Sequence, residues 1–418
     1  MRLRACILAI AVVTPLRAFA QTPAPPPAEA APPAPPPAAA PLPPPPPPAP
    51  APVVAPSAAP TPPPAPVAPA APTPKMTWGG LVDAYYMYLL NKGDAVNSLS
   101  GATDIRQFDT NTNSATLALA ALTLNASLDP VALQLDMGYG ASGAIINSVS
   151  NSVGGQGNFI VLQAYGTITV IPQLTLDFGK FYTTAGAEVI PANKNWMYSR
   201  SILFFSIPLL HTGARANFKV NDQLTLQASV VNGWNNDPDN NAWKTVGLNA
   251  AITVNPMVSI FATTYFGKEG AQTALDMTTM PPTVVPLPNT QGDLRFLGDL
   301  VVALTLNDRL GVNLNFDYVK APTDAGGDYL FGFAGMARYV INDHLNVAAR
   351  GEFVRSHNDV YGVNSDAIEG TVMAGIDVGK NFELRPEFRF DHLGQDGTFS
   401  SNGKSDQITG TLAALTWF

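Results

Sequence analysis

The sequence predicts an all-β fold: a transmembrane, antiparallel, up-and-down β-barrel of about sixteen strands that follows a disordered Pro/Ala-rich segment. Three observations predict it. Hydrophobic residues make up 46% of the chain and charged residues only 13%, against about 25% charged in ordinary globular domains. After the N-terminus, no apolar stretch reaches the roughly 20 residues that a membrane helix needs. Alternating polar and apolar segments recur instead, joined in turn by tight turns and long loops.

The first predicted region, residues 1–20, has the pattern of a secretory signal. Arg2 and Arg4 precede an apolar run, and Ala18-Phe19-Ala20 supplies small residues for cleavage before residue 21. Cleavage removes Cys6, the single cysteine, so the mature chain can form no disulfide. It also removes three of the 23 basic residues, which leaves 20 against 31 acidic ones. The resulting charge of about −11 argues against a nucleic-acid partner.

The second predicted region, residues 21–75, is a disordered linker in the periplasm. Proline accounts for 27 of the 53 residues from Thr22 to Pro74, and Glu29 is the only charge there. Proline lacks a backbone donor and alanine offers little apolar area, so this tract cannot form a packed core. Two interpretations stay open. Residues 22–74 are either a stiff spacer or a tether that contacts peptidoglycan or another envelope protein.

The third region, residues 76–418, contains the alternating segments, and the segment from Asn381 to Asp391 shows the pattern best. Apolar residues occupy one parity and charges the other: Phe382, Leu384, Pro386, Phe388 and Phe390 against Glu383, Arg385, Glu387, Arg389 and Asp391. Five charges on one face cannot point into a dry core. They face either the solvent around a soluble sandwich or the water-filled lumen of a barrel.

The connections decide between a soluble sandwich and a barrel. Seven tight turns are predicted, at Asp129-Pro130, Pro172-Gln173, Asn221-Asp222, Asn255-Pro256, Asn307-Asp308, Asn342-Asp343 and Gly379-Lys380. Eight long loops alternate with them, at about 90–113, 140–158, 183–210, 233–243, 268–293, 320–327, 356–366 and 392–404. This asymmetry is typical of outer-membrane barrels, which have short periplasmic turns, long outer loops and an even number of strands. The sequence therefore predicts sixteen strands, with both chain ends on the short-turn side.

The parity of each strand also predicts which charged side chains line the lumen. They carry both signs in similar number, which predicts no strong preference for one ion, and Asp83, Asp136 and Asp177 add negative charge. The alternative is that these charges pair across neighbouring strands and only stiffen the wall. The predicted pore-lining residues are Arg215, Lys219, Arg295, Asp299, Arg309, Asp317, Arg338, Arg350, Glu352, Glu369, Asp377, Glu383, Arg385, Glu387 and Arg389.

The loop after the fifth strand has the most distinctive sequence. It contains Gly179-Lys180-Phe181, Gly186-Ala187-Glu188, Asn195-Trp196 and Tyr198-Ser199-Arg200-Ser201, followed by Pro208 and Gly213. With these motifs the chain resembles the putative β-barrel porin 2 family, the OmpL-like outer-membrane porins. The resemblance extends over residues 76–418, although its specific motif covers only 179–213. It implies a passive porin for small hydrophilic solutes in the outer membrane of a Gram-negative bacterium, and it names no particular solute.

Charges in this loop predict a constriction. Lys180, Glu188, Lys194 and Arg200 would fold into the mouth of the barrel, where opposed charges would filter polar solutes. The alternative is that Glu188 and Arg200 pair with each other and pin the loop to the wall.

The end of the chain predicts further partners. The terminal Phe418 follows an alternating segment and resembles the recognition signal of the outer-membrane assembly machinery. Outer-membrane lipid would surround the barrel, and association into a homotrimer stays open. No metal and no cofactor are predicted, because the oxygen-rich stretch 235–241 lacks the glycine and the final glutamate of a calcium loop.

Two other classes of protein were weighed. An outer-membrane enzyme would need a nucleophile beside a base, and the four histidines, His211, His344, His357 and His392, lie in no such signature. An outer-membrane anchor or adhesin, tethered to the periplasm by the Pro/Ala segment, remains the alternative function.

Overall fold

The structure of the protein is a computed structural model. It describes residues 73–91, 105–149, 157–239, 241–269, 273–276, 283–286, 293–320, 329–357, 366–394 and 397–418. The predicted signal and nearly all of the Pro/Ala segment lie outside these ranges, so both stay predictions. None of the helices in the described part of the chain is long and apolar enough to cross a membrane.

The described strands confirm the predicted fold class: sixteen of them form one closed antiparallel barrel. A separate two-stranded sheet pairs β10 (Thr273–Asp276) with β11 (Thr283–Pro286). The barrel strands are β1 (Lys75–Leu89), β2 (Ser114–Leu128), β3 (Val131–Tyr139), β4 (Phe159–Ile171), β5 (Leu174–Tyr182), β6 (Leu210–Lys219), β7 (Leu224–Val231), β8 (Thr245–Asn255), β9 (Val258–Glu269), β12 (Asp293–Asn307), β13 (Leu310–Lys320), β14 (Tyr329–Asn342), β15 (Leu345–His357), β16 (Asp366–Asp377), β17 (Phe382–Leu393) and β18 (Asp406–Trp417).

Short turns connect the strands at one end of the barrel, at all seven predicted positions. Local sequence accounts for several of them. The side-chain oxygen of Asn221, Asn255, Asn307 or Asn342 accepts a hydrogen bond from the backbone N–H two residues later, at 2.8–2.9 Å. An asparagine in this position mimics a backbone turn and directs the chain back along its neighbour.

The barrel closes where the first strand meets the last. β1 pairs with β18 in antiparallel register, from Leu81 opposite Trp417 to Leu89 opposite Thr409. The Phe418 ring then packs edge-on against Trp78 on the outer surface, with ring centroids 5.0 Å apart. Closure leaves no unpaired strand edge, and this is the condition for a sheet to cross hydrocarbon.

Alternation along each strand separates an apolar outer face from a polar inner one. On β15, Val347 and Phe353 are 38% and 36% exposed on the outside, whereas Arg350 and Glu352 on the opposite parity are buried. Successive side chains of a strand point to opposite faces, so this pattern forms a lipid-compatible exterior and a charged interior.

Three connecting segments enter the barrel and supply an apolar core there. They are residues 105–113, helix α1 (Ala141–Val149) and the connection between β5 and β6, which contains a 3₁₀ turn (Ala192–Lys194) and the short helix α2 (Ile202–Ser206). The core therefore lies inside the barrel, between loops and wall. The apolar side chains that these segments bury are Ile105, Phe108, Ile146, Ile190, Met197, Ile202, Leu203, Phe204 and Ile207.

Candidate functional site: a loop clamped across the lumen

The connection from Thr183 to Leu209, here called the crossing loop, spans the inside of the barrel. It leaves β5 and contacts β13, β15 and β17, and β15 lies opposite β5 in the closed order of strands. The loop reaches the far wall because the charged inner faces of those strands provide partners for its backbone. The contacts of the crossing loop with these strands therefore determine how much of the lumen the loop occupies.

Arg350 on β15 is the centre of the clamp. Its guanidinium donates to the Glu188 carboxylate at 2.9 Å and to the Ser199 carbonyl at 2.9 Å, both in the crossing loop. It also donates to Glu369 on β16 at 3.0 Å. The three charged side chains are almost completely buried, so one wall arginine joins the loop to two strands through charge-assisted bonds.

Two wall carboxylates bind backbone N–H groups of the crossing loop. Glu352 accepts from Ile202 and Leu203, each at 2.7 Å, at the first turn of α2. Glu387 on β17 accepts from Tyr198 at 2.6 Å and from Ser199 at 3.1 Å. A carboxylate at a helix N-terminus satisfies donors that have no partner within the helix.

Two arginines of β17 bind carbonyl groups of the same loop. Arg385 donates to the carbonyls of Ala192 at 2.8 Å and Asn195 at 3.0 Å, and Arg389 donates to that of Arg200 at 2.6 Å. Each arginine is held by a carboxylate two residues away on its own strand, at 2.7 Å. The wall thus supplies both the donors and the acceptors that an irregular buried backbone needs.

The first arm of the crossing loop docks on a pair of aspartates. Asp299 on β12 and Asp317 on β13 stand directly opposite each other in the strand register. The side-chain amide of Asn315 donates to both, at 3.0 Å each, and its oxygen accepts the N–H of Ala187 at 3.0 Å. Asn315 therefore couples this acidic pair to the loop.

The predicted pore-lining charges lie on the inward-facing side of their strands or at the short-turn end of the barrel, but most of them are buried. The crossing loop contacts Arg350 and Glu352 of β15 and Arg385, Glu387 and Arg389 of β17, and all five are buried. That these residues line an open pore stays a prediction. Arg309 is a correction, because it lies in the exposed turn before β13 and not on the strand. Lys219 is also exposed at this end and pairs with Asp222 at 2.7 Å.

The predicted constriction residues do not form one cluster. Lys180 lies on β5, on the parity of outward-facing Phe178, and pairs with Asp237 at 2.5 Å. Lys194 is exposed, whereas Glu188 and Arg200 are buried. Glu188 pairs with Arg350 rather than with Arg200, so the proposed mutual pairing of the two loop residues is wrong.

Arg200 has backbone partners instead. It donates to the carbonyls of Val189 at 3.2 Å, Tyr198 at 2.5 Å and Ile190. The Tyr198 ring packs on Tyr85 of β1, with centroids 5.5 Å apart, and burial raises the pKa of the Tyr198 phenol well above its usual value. This part of the loop thus folds around its own arginine and keeps a neutral phenol against the wall.

Sequence reasoning missed the second clamp, centred on Arg106. This residue lies in the loop between β1 and β2 and donates to Asp109 at 2.7 Å, to Asp391 at 3.2 Å and to Thr409 at 2.7 Å. Its side chain is completely buried. Arg106 is a single arginine in a long loop without an alternating pattern, so the sequence contained no signal that it binds the barrel wall.

Metal binding and enzymatic activity were the other two functions considered from the sequence. No group of three or more His, Cys, Asp or Glu side chains that could hold a metal lies among the residues that the structure describes. His211 is buried and stacks on Tyr265 with centroids 4.5 Å apart, and His392 pairs with Asp406 at 2.7 Å. These two histidines belong to the barrel wall itself, on β6 and β17.

A closed sixteen-stranded barrel with an apolar exterior and a loop folded into its lumen belongs to the class of outer-membrane porin barrels. The family model described as putative beta-barrel porin-2, OmpL-like, matches residues 75–418, and the chain belongs to that family. The family resemblance inferred from the loop motifs is thereby confirmed, as is the outer membrane as the location. Among the curated proteins, none matches the chain in sequence.

Solved structures share the fold at low sequence identity. OmpT of Vibrio cholerae is 12% identical over 82% of this chain and 98% of that chain, with a TM-score of 0.53. The outer membrane channel DcaP of Acinetobacter baumannii is 11% identical over 82% and 97%, with a TM-score of 0.53. An anion-selective porin from Comamonas acidovorans is 11% identical over 83% and 100%, also at 0.53. At such identities the likeness shows the fold alone.

Proposed function

We propose that the barrel is a water-filled channel for the passive diffusion of small hydrophilic solutes and ions, narrowed by the crossing loop. The observation that carries this proposal is the clamp of buried Arg350, Glu352, Glu387 and Arg389, which holds the loop against the wall opposite its origin. A loop fixed in this way narrows the cross-section of the lumen, and its buried contacts keep it from moving to open or close the channel. It is a size filter rather than a mobile gate.

The wall that the clamp leaves uncovered supports a polar route. Strands β4 to β8 turn small uncharged polar side chains inward, and several are partly exposed, among them Thr167, Asn217, Gln227 and Asn249. Some of them bond to other uncharged groups, as from Gln227 to Asn217 at 2.6 Å and from Asn249 to Thr263 at 2.7 Å, whereas Thr167 and Asn217 donate to Asp177 at 2.6 and 3.0 Å. Such groups can also bind water, so hydrophilic solutes would pass between this wall and the crossing loop.

The test is single-channel conductance of the refolded mature protein in a planar bilayer. A variant in which residues 190–197 are replaced by a Gly/Ser segment of equal length removes the side chains that order the 3₁₀ turn, so the carbonyls that Arg385 binds are no longer held in place. We expect stepwise openings from both proteins, and larger openings together with passage of larger neutral polymers in the variant. Equal polymer exclusion in the two would contradict the loop as the filter.

Silence from a folded barrel would refute the channel and favour the alternative function, an anchor or adhesin. Folding is checked separately by the heat-dependent shift in electrophoretic mobility that intact barrels give. Under the anchor interpretation residues 22–74 would hold the barrel to peptidoglycan. Sedimentation of the full chain with purified peptidoglycan, compared with a variant lacking 22–74, tests this contact directly.

Three further assignments belong to the same proposal. The Pro/Ala linker would lie in the periplasm, because the barrel begins at Lys75 on the short-turn side. Phe418, exposed on the outer surface, would be read by the assembly machinery. A homotrimer is proposed as the assembled state, since one similarly folded structure, of OmpT from Vibrio cholerae, is described as a trimer form. Chemical crosslinking in isolated outer membranes tests the last of these.

A further inference from the structure

The interior of the barrel contains more acidic than basic side chains. Among the described residues, thirteen buried carboxylates face the inside of the barrel or belong to loops within it, against six buried arginines. The carboxylates are Asp83, Asp109, Asp136, Asp177, Glu188, Glu269, Asp299, Asp317, Glu352, Glu369, Glu383, Glu387 and Asp391, and the arginines are Arg106, Arg200, Arg215, Arg350, Arg385 and Arg389.

Less buried groups do not remove this excess. Including inward-facing Arg295, Arg338 and Asp377, together with exposed Lys194 of the crossing loop, gives fourteen acidic against nine basic groups. The balance expected from the sequence fails for two reasons. Exposed Arg309 was counted as a lumen charge, and the acids of the loops were left out, while Asp83, Asp136 and Asp177 were named only as an addition to the pore-lining set.

Most arginines are neutralised by their own partners. Arg385 pairs with Glu383, Arg389 with Asp391, and Arg215 with Asp177, each at 2.7 Å. Once these pairs are set aside, acidic side chains still outnumber basic ones. In a narrow lumen with walls of low dielectric constant, such a charge acts over several ångströms.

The Asp299–Asp317 pair is the least compensated part of this charge. The two residues stand opposite each other, and the ion pairs of the described residues include neither of them. The amide of Asn315 donates to one oxygen of each carboxylate, and the two carboxylates face each other, with the Gly186 N–H also directed at Asp299. Two carboxylates this close share one proton readily, and a pair that shares one proton carries a single negative charge beside the first arm of the crossing loop.

We propose that the channel prefers cations to anions, and that the Asp299–Asp317 pair contributes to this preference through its field. The inference rests on the proposed diffusion channel and specifies its substrate class: small hydrophilic cations. Rings of acidic side chains act in this way in cation channels. The Ala187 N–H of the loop arm binds Asn315 beside the pair, and both aspartates are buried. An ion that passes through the lumen would therefore feel their field without direct contact.

The test is the zero-current potential of the purified protein in a planar bilayer across a KCl gradient. We expect the wild type to pass K⁺ in preference to Cl⁻. The double variant Asp299→Asn/Asp317→Asn keeps shape and hydrogen-bond acceptors but removes the charge. Its K⁺/Cl⁻ permeability ratio should fall by about two- to fourfold, the effect expected of one charge near 10 Å at ordinary ionic strength.

Asp308→Asn is the matched control, because it removes one carboxylate from an exposed turn outside the lumen. Its permeability ratio should equal that of the wild type. A wild-type ratio at or below one overturns the proposal while leaving a working channel. An equal fall in the control and in the double variant overturns the role of the pair. A folded but silent wild type overturns the channel itself, and that failure is distinct from the other two.

Discussion

Replacement of Arg350 by methionine tests the clamp most directly. The change removes the group that joins Glu188 and Ser199 of the crossing loop to Glu369 of the wall, and it leaves two carboxylates buried without that partner. Removing one partner of a buried ion pair costs about 3–5 kcal/mol. The strands stay paired through their backbones, so the cost falls on loop docking. The equilibrium for loop opening should rise roughly 100- to 4,000-fold.

Limited proteolysis reports this equilibrium, because cleavage of a transiently open segment follows the population of the open form. Trypsin can cut after Lys194, which lies within the clamped part of the loop. In detergent micelles we expect Arg350→Met to be cleaved there at least a hundredfold faster than the wild type, while the barrel keeps its heat-dependent mobility. Arg355→Met is the control, since Arg355 pairs with Asp366 in the open, with half of its side chain exposed. Similar cleavage rates for the two variants would refute the clamp.

Other predictions concern the barrel and its ends. Gly179→Ala should lower the refolding yield sharply, because Gly179 has a φ of +131° and an added Cβ would lie 2.2 Å from a backbone oxygen. Gly351→Ala is the control and should refold normally, since an added Cβ there has no atom within 4 Å. Phe418→Ala should slow assembly into the outer membrane, measured by pulse–chase fractionation, since it removes both the terminal aromatic and its packing on Trp78. Deletion of residues 22–72 should leave conductance unchanged, because β1 begins at Lys75; a lower conductance would mean that the segment acts on the barrel.

The fold was predictable because its determinants are local. From Phe382 to Asp391 of β17 apolar and charged residues alternate, and this pattern fits a strand between lipid and a polar interior. Turns such as those at Asn307 and Asn342 close through an asparagine side chain two residues from its partner. Neither signal needs information about distant parts of the chain, so strand number and order followed from the sequence.

The site was only partly predictable because its contacts are not local. Arg350 and Glu188 lie 162 positions apart in sequence, and only the folded loop brings them together. The alternation along β15 predicted that Arg350 faces the inside of the barrel. It could not predict whether an inward-facing side chain is covered by a loop or exposed to water. Lys180 was misassigned for a related reason: the motif that contains it continues β5, and on that strand its parity is outward.

The clamp and the proposed selectivity have one physical origin. An irregular backbone inside a barrel must have its N–H and carbonyl groups satisfied, because unpaired polar groups are costly to bury. Glu352, Glu387, Arg385 and Arg389 satisfy them for the crossing loop, so apolar residues at those positions would leave the loop unable to dock. These charges are therefore committed to holding the loop. Under the proposed selectivity, the field in the lumen would come from the acids that remain, and Asn315 joins one pair of them, Asp299 and Asp317, to the docked loop.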